Sequence, residues 1–217
     1  MARIKGISGA KLLEKKYKTF AFDGVWLDTM GTPEVSGFWI IYGAEKQGKT
    51  WFALKLAEYL SKFENVLYIS AEQGTSYTFQ EAYNRAGLDP KNEKIKFVPY
   101  VELAELEKTL KRQRAPKVVF LDNITVYADE LKNGKLRQLQ MTYKNTLFVF
   151  VAHQEDGKSE PYTATAKLCK KLAEIIVQVE GLACTISGRC PGGRLIIDEE
   201  KASLYHNVVV TENQTEQ

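Results

Sequence analysis

Short apolar runs alternate along the chain with longer stretches in which apolar side chains recur every three or four positions. The runs FWIIYG at 38–43, NVLYIS at 65–70, IKFV at 95–98, KVVFLD at 117–122 and TLFVFV at 146–151 read as strands. Several are apolar on consecutive residues, which suits strands covered on both faces. Phe52, Leu56, Leu60 and Phe63 follow a helical spacing, as do Leu103, Leu106 and Leu110. This alternation predicts an α/β fold with a mainly parallel central sheet under helices. From 174 onward EIIVQVEG, ACTISGR, GRLIID and SLYHNVVV follow one another closely, separated by Gly and Pro, and predict antiparallel strands at the sheet edge.

The division that follows is an N-terminal extension, 1–37, packed on a main domain at 38–210, and a disordered tail at 211–217. Within the extension, Ser8 is expected to cap a short helix through Lys16, and DGVWLDTMGTPEVSG to be an irregular lead-in to the first core strand. The tail, TENQTEQ, has no apolar residue.

Composition narrows the class. With 217 residues, 44% of them hydrophobic, the chain suffices for one substantial domain with a full core. No apolar run approaches the roughly 18 residues of a spanning helix, and the basic N-terminus lacks the apolar segment of a secretory signal. A cytoplasmic protein without a membrane partner is expected. Three cysteines, Cys169, Cys184 and Cys190, form no close pair and disfavour a disulfide framework or a zinc site. The net charge of +3 leaves a nucleic-acid partner undecided, because a local patch matters more than the sum.

Residues 43–50, Gly43, Ala44, Glu45, Lys46, Gln47, Gly48, Lys49 and Thr50, complete the pattern GxxxxGK[ST] between an apolar strand and an amphipathic helix. The glycines let the backbone curl so that amide hydrogens converge on phosphate oxygens, and the helix N-terminus adds positive charge. These residues, with Trp51, are the expected cofactor-binding set, and the cofactors are ATP and Mg²⁺. Lys49 reaches the β- and γ-phosphates, Thr50 ligates Mg²⁺, and Asp122, closing KVVFLD, is the second metal-side group. Another strand, NVLYIS, lies in sequence between the loop and Asp122, an order that small-molecule kinases and GTPases usually lack. Glu72, just past that strand, is placed to orient the attacking water. The expected catalytic set is Lys49, Glu72, Asp122, His153 and Arg189.

In combination, VLYISAEQ, KVVFLD and FVFVAHQEDGK resemble the RecA-like ATPases: the recombinases, the RadA/Sms proteins and the DnaB-type helicases. The resemblance covers about 36–206, and compact RecA-fold ATPases of bacteriophages and mobile elements are similar in size and layout. It implies hydrolysis of ATP to ADP and phosphate in an oligomeric ring or filament, in the cytoplasm of a bacterium or phage-infected host, with a role in DNA recombination, repair or replication. His153 falls at the γ-phosphate sensor position. LAEIIVQVEG with ISGRCPGG resembles strands carrying a Lys-x-Arg element, which implies an interfacial arginine finger at Arg189; the lysine position holds Ser187. The loops after the Asp122 strand, about 124–135, and after the His153 strand, about 154–166, correspond to those facing the DNA channel. Lys132, Lys135, Lys158, Tyr162 and Lys167 are thus candidate contacts to single-stranded DNA. Two other readings remain open: a nucleotide-switched loader or signalling protein without direct DNA binding, and a small-molecule kinase. The chain shows neither the zinc ribbon and protease-like domain of RadA nor the collar of DnaB.

Overall fold

In the computed structural model, which describes residues 6–155 and 157–206, the apolar runs form the middle of an eight-stranded sheet. Strands β1 (Gly37–Gly43), β2 (Val66–Ser70), β3 (Ile95–Pro99), β4 (Val118–Asp122) and β5 (Leu147–His153) match the five predicted runs to within two residues at either end. They are joined by β6 (Ile175–Glu180), β7 (Ala183–Gly188) and β8 (Gly193–Ile196). Across the sheet the order is β3-β2-β4-β5-β1-β6-β7-β8, with β1 to β6 parallel and β7 and β8 antiparallel.

Two expectations need correction. The antiparallel edge consists of β7 and β8 only: helix α7 (Ala164–Leu172) supplies the crossover that a parallel partner requires, and β6 lies parallel to β1. The start of SLYHNVVV is helical rather than extended, within α8 (Glu199–His206), because the Asp198 carboxylate accepts the Lys201 N–H at 3.0 Å and nucleates a first turn. The rest of that run and the 211–217 tail lie outside the described residues. As expected, β2 lies in sequence between the 43–50 loop and Asp122; in space β5 sits between β1 and β4, and β2 pairs with β4 on the far side.

Alternation along the strands divides the core into two layers. Trp39 and Ile41 of β1, Tyr68, Phe120, Val149 and Val151 face α3 (Lys49–Ser61) and α4 (Tyr77–Ala86). Phe38 and Ile40, Ile69, Leu121, Phe148 and Phe150 face α5 (Leu103–Leu110), α6 (Lys135–Thr142) and α7. Burial on both faces explains why these strands read as continuous apolar runs.

The N-terminal region joins the first layer. Phe20, Phe22, Met30 and Val35 are buried in the same cluster as Trp39 and Leu56, and the Trp26 ring stacks on Tyr59 at 4.8 Å. Ser8 does cap a short helix, α1 (Gly9–Leu13), but the helix stops before Lys16 and buries no residue. The expected irregular lead-in contains a further helix, α2 (Gly24–Met30), ended by Gly31 at φ +69°.

Candidate nucleotide site

Register fixes the site. Gly43 is level with His153, and Ser70 with Asp122, so the carboxyl ends of β1, β5, β4 and β2 line one edge. That edge is where ligands bind in open α/β sheets. The residues after each strand, 44–48, 154, 123 and 71–72, therefore converge there whatever their separation in sequence.

The phosphate loop is held by close packing. A Cβ at Gly43 would sit 2.1 Å from the Val179 carbonyl oxygen, and one at Gly48, where φ is +101°, would meet Leu182 Cδ2 at 2.5 Å. Only glycine fits at either place. The turn between β6 and β7 braces the loop from the side: the Gly181 N–H donates to Gln47 Oε1 at 2.6 Å and the Leu182 N–H to the Gln47 carbonyl at 3.2 Å. The Gln47 side chain thus serves the loop's own support. Trp51, in the expected cofactor set, is half-buried against the core, with the Lys201 ammonium 5.0 Å from its ring centre.

Lys49 is buried and its Nζ donates to the Ala44 carbonyl at 2.6 Å. Burial pushes its pKa down, against the pull of Asp122, Glu72 and Glu45. Asp122 is buried too, and desolvation raises its pKa; hydrogen bonds from the Tyr68 and Thr50 hydroxyls and the Lys49 charge act in the opposite direction, while Glu72 adds to the rise. Tyr68 Oη donates to Asp122 Oδ2 at 2.7 Å. The peptide bond between Asp122 and Asn123 is cis.

Glu72 stands at the mouth of the site. Its Oε2 accepts the Asn123 side-chain amide at 3.1 Å and lies 3.2 Å from His153 Nε2. This contact assigns the proton of a neutral His153 ring to Nε2 and leaves buried Nδ1 without a hydrogen-bond partner. Beyond His153 the backbone closes on itself: Gln154 N–H donates to the Gly43 carbonyl and Tyr162 N–H to the His153 carbonyl.

The residues fit Mg²⁺ with a nucleotide. The Thr50 hydroxyl and Asp122 carboxylate touch, giving a pair of hard oxygen donors beside the loop amides. Among the described residues no group of three or more His, Cys, Asp or Glu is arranged to hold a metal alone. Phosphate oxygens would have to complete the coordination, as is usual for Mg²⁺.

Of the expected residues, Lys49, Thr50, Glu72, Asp122 and His153 come together. Arg189 does not join them within one chain. Gly188 pairs with Ile175, which is level with Trp39 near the start of β1, so Arg189 lies at the opposite end of the sheet, beside Glu174. Three of the four candidate DNA lysines are engaged in ion pairs. Lys158 and Lys167 both bond Glu155 at 2.6 Å, and Lys132 pairs with Asp129, while Lys135 begins α6 and Tyr162 is exposed. The expected long loop at 154–166 is a compact turn, with Gln154 bridged to Pro161 and Thr163 already capping α7. Two positions at the candidate site escape sequence reasoning. Asn123 directly follows Asp122 and no local motif marks it; Tyr68 is a buried phenol in a core strand, a group that needs a partner.

This fold and site define a RecA-like α/β domain with a phosphate loop at the carboxyl edge of its parallel strands. A family model described as iSTAND, inactive STAND, matches residues 21–161, and the chain belongs to that family. Among solved structures it is similar to the flagellar accessory protein FlaH from Methanocaldococcus jannaschii, with a TM-score of 0.59 and 14% identity over 82% of this chain and 91% of that one. At that identity the likeness shows the fold alone. No curated protein matches the sequence. No helix among the described residues is long and apolar enough to cross a membrane.

Proposed function

We propose that the chain binds ATP with Mg²⁺ at the 43–50 loop and hydrolyses it by attack of water. The observation that carries this reading is the convergence of Lys49, Thr50, Asp122 and Glu72 on one sheet edge, from the ends of two strands and the start of a helix. Lys49, freed from the Ala44 carbonyl, turns its ammonium to the phosphates, and the loop amides hold them. Bound Mg²⁺ would supply charge neutralisation between Thr50, Asp122 and the phosphates. Glu72 orients the water, and the Asn123 amide and His153 Nε2 hold its carboxylate. Arg189 contributes only if an oligomer brings it to a neighbour's nucleotide, and any action on single-stranded DNA rests on the family resemblance.

A second reading, a nucleotide-switched protein with negligible turnover, is favoured by the family's description as inactive STAND. Calorimetric titration with ATP and Mg²⁺, together with phosphate release, separates the cases. Binding that Lys49→Ala weakens about 10- to 100-fold supports nucleotide recognition. Turnover that Glu72→Gln lowers about 10²- to 10⁴-fold, with binding retained, supports hydrolysis. Binding without phosphate release supports the switch, and no binding overturns both.

A further inference from the structure

Opposite the nucleotide edge, where the strands begin, the surface has a different character. Residues 6–19 are all exposed, and helix α1 within them buries nothing. Ile7, Leu12, Leu13 and Tyr17 stand in solvent, Leu13 at 88% exposure. Lys11, Lys15, Lys16 and Lys18 are interleaved with them. Lys15, Lys16, Tyr17 and Lys18 also line a cleft with Lys117, which precedes β4, and Lys144, which precedes β5.

Most lysines at the nucleotide edge are paired: Lys132, Lys158, Lys167 and Lys170 each hold a carboxylate, while Lys46 and Lys135 make no ion pair among the described residues. Here, Lys11, Lys15, Lys16, Lys117 and Lys144 make no ion pair among the described residues, and only Lys18 has one, with Glu64. Glu14, Glu34, Glu64 and Glu174 are the opposing charges at this end, with Glu64 held by Lys18 and Glu174 beside Arg189. Lys111, Arg112 and Arg114, in the connection that leads to Lys117, extend it.

We infer that this face is a docking surface for an anionic lipid bilayer. The occupant follows from the two features together. A polynucleotide would satisfy the lysines but leave Leu12 and Leu13 in water; a purely apolar groove on a protein would cover the leucines but leave the lysine charges unanswered. A bilayer interface accepts both, because the acyl boundary takes short apolar side chains, the headgroup level suits an amphipathic ring such as Tyr17, and anionic headgroups attract the lysines. The nucleotide edge, at the other end of the strands, stays open to water.

The test is cosedimentation of the full chain with vesicles of phosphatidylcholine alone and with about a quarter phosphatidylserine. The expected result is binding to the anionic vesicles, weakened by salt, with none to the neutral ones. Leu12→Ser with Leu13→Ser changes only exposed residues and is expected to lower binding at least about tenfold. Lys117→Glu and Lys144→Glu are each expected to lower it at least about fivefold, and Lys158→Glu, at the nucleotide edge, to leave it unchanged. No binding to anionic vesicles overturns the inference. So does binding indifferent to the leucine substitutions, or a single-stranded oligonucleotide that competes while the leucine variant still binds it fully, since either outcome would reduce the face to a polyanion patch. ATP titration of the same variants runs separately from this readout, so the nucleotide reading and the lipid reading succeed or fail independently.

Discussion

The Tyr68 hydroxyl donates a 2.7 Å hydrogen bond to Oδ2 of Asp122, and both groups are buried. Burial alone drives the Asp122 carboxyl up in pKa, and the phenol is one of three groups, with Thr50 and Lys49, that hold it down. The Tyr68 ring also stacks on Phe120 at 5.2 Å, so replacement by Phe keeps the packing and removes only the donor. Tyr68→Phe is expected to cost about 1–3 kcal/mol of stability, read from urea unfolding. An unchanged midpoint would mean that water or Thr50 fully replaces the phenol.

Glu72 is oriented by two donors rather than one. Removing either, in Asn123→Ala or His153→Ala, is expected to change turnover about tenfold while ATP affinity stays within about twofold, because neither contacts the loop amides. The double variant should change less than the product of the two, since both act on a single oxygen. Steady-state kinetics with separate kcat and KM check this. A shift confined to KM would place both residues in nucleotide binding instead.

Crowding, not flexibility alone, keeps Gly43. Because its added Cβ would strike a backbone carbonyl, Gly43→Ala is expected to destabilise the fold by at least about 1–3 kcal/mol and to abolish nucleotide binding. Gly9→Ala, where a Cβ meets nothing within 4 Å, is the matched control and should leave the melting temperature in place.

Two lysines on one carboxylate give the His153 turn an acid-sensitive element. Hydrogen bonds from Lys158 and Lys167 hold the Glu155 pKa down at about 2, against an ordinary 4.5. A depressed carboxylate stabilises the fold above its unfolded pKa, and that contribution disappears as pH falls from about 4.5 toward about 2. Glu155→Gln should flatten the pH dependence of thermal unfolding in that window and leave stability near neutrality slightly lower. Identical profiles for the two proteins would show that the exposed pairs contribute nothing.

The strands and the loop were legible because each is written in consecutive residues. Runs buried on both faces are continuous, and GAEKQGKT needs eight neighbours and nothing else. Glu72 and Asp122 were legible as residues that close strands. Strand neighbours were not legible, because chain order does not specify spatial order; β5 pairs with β1 through contacts about a hundred residues apart. Helix α8 was read as a strand because SLYHNVVV is apolar without a clear period, and its cap, Asp198, lies outside the run.

Sequence alone determined that this chain builds a mainly parallel α/β domain with a GxxxxGK[ST] loop after its first strand, since local periodicity and one contiguous motif suffice for that. Tertiary structure decided the rest. It joined Tyr68 to Asp122 and Asn123 and His153 to Glu72, neutralised most of the lysines beside the site, and moved Arg189 and a group of unpaired lysines to the far end. Those outcomes depend on register and on which carboxylate lies within about 3 Å of which donor, distances that a linear pattern does not encode.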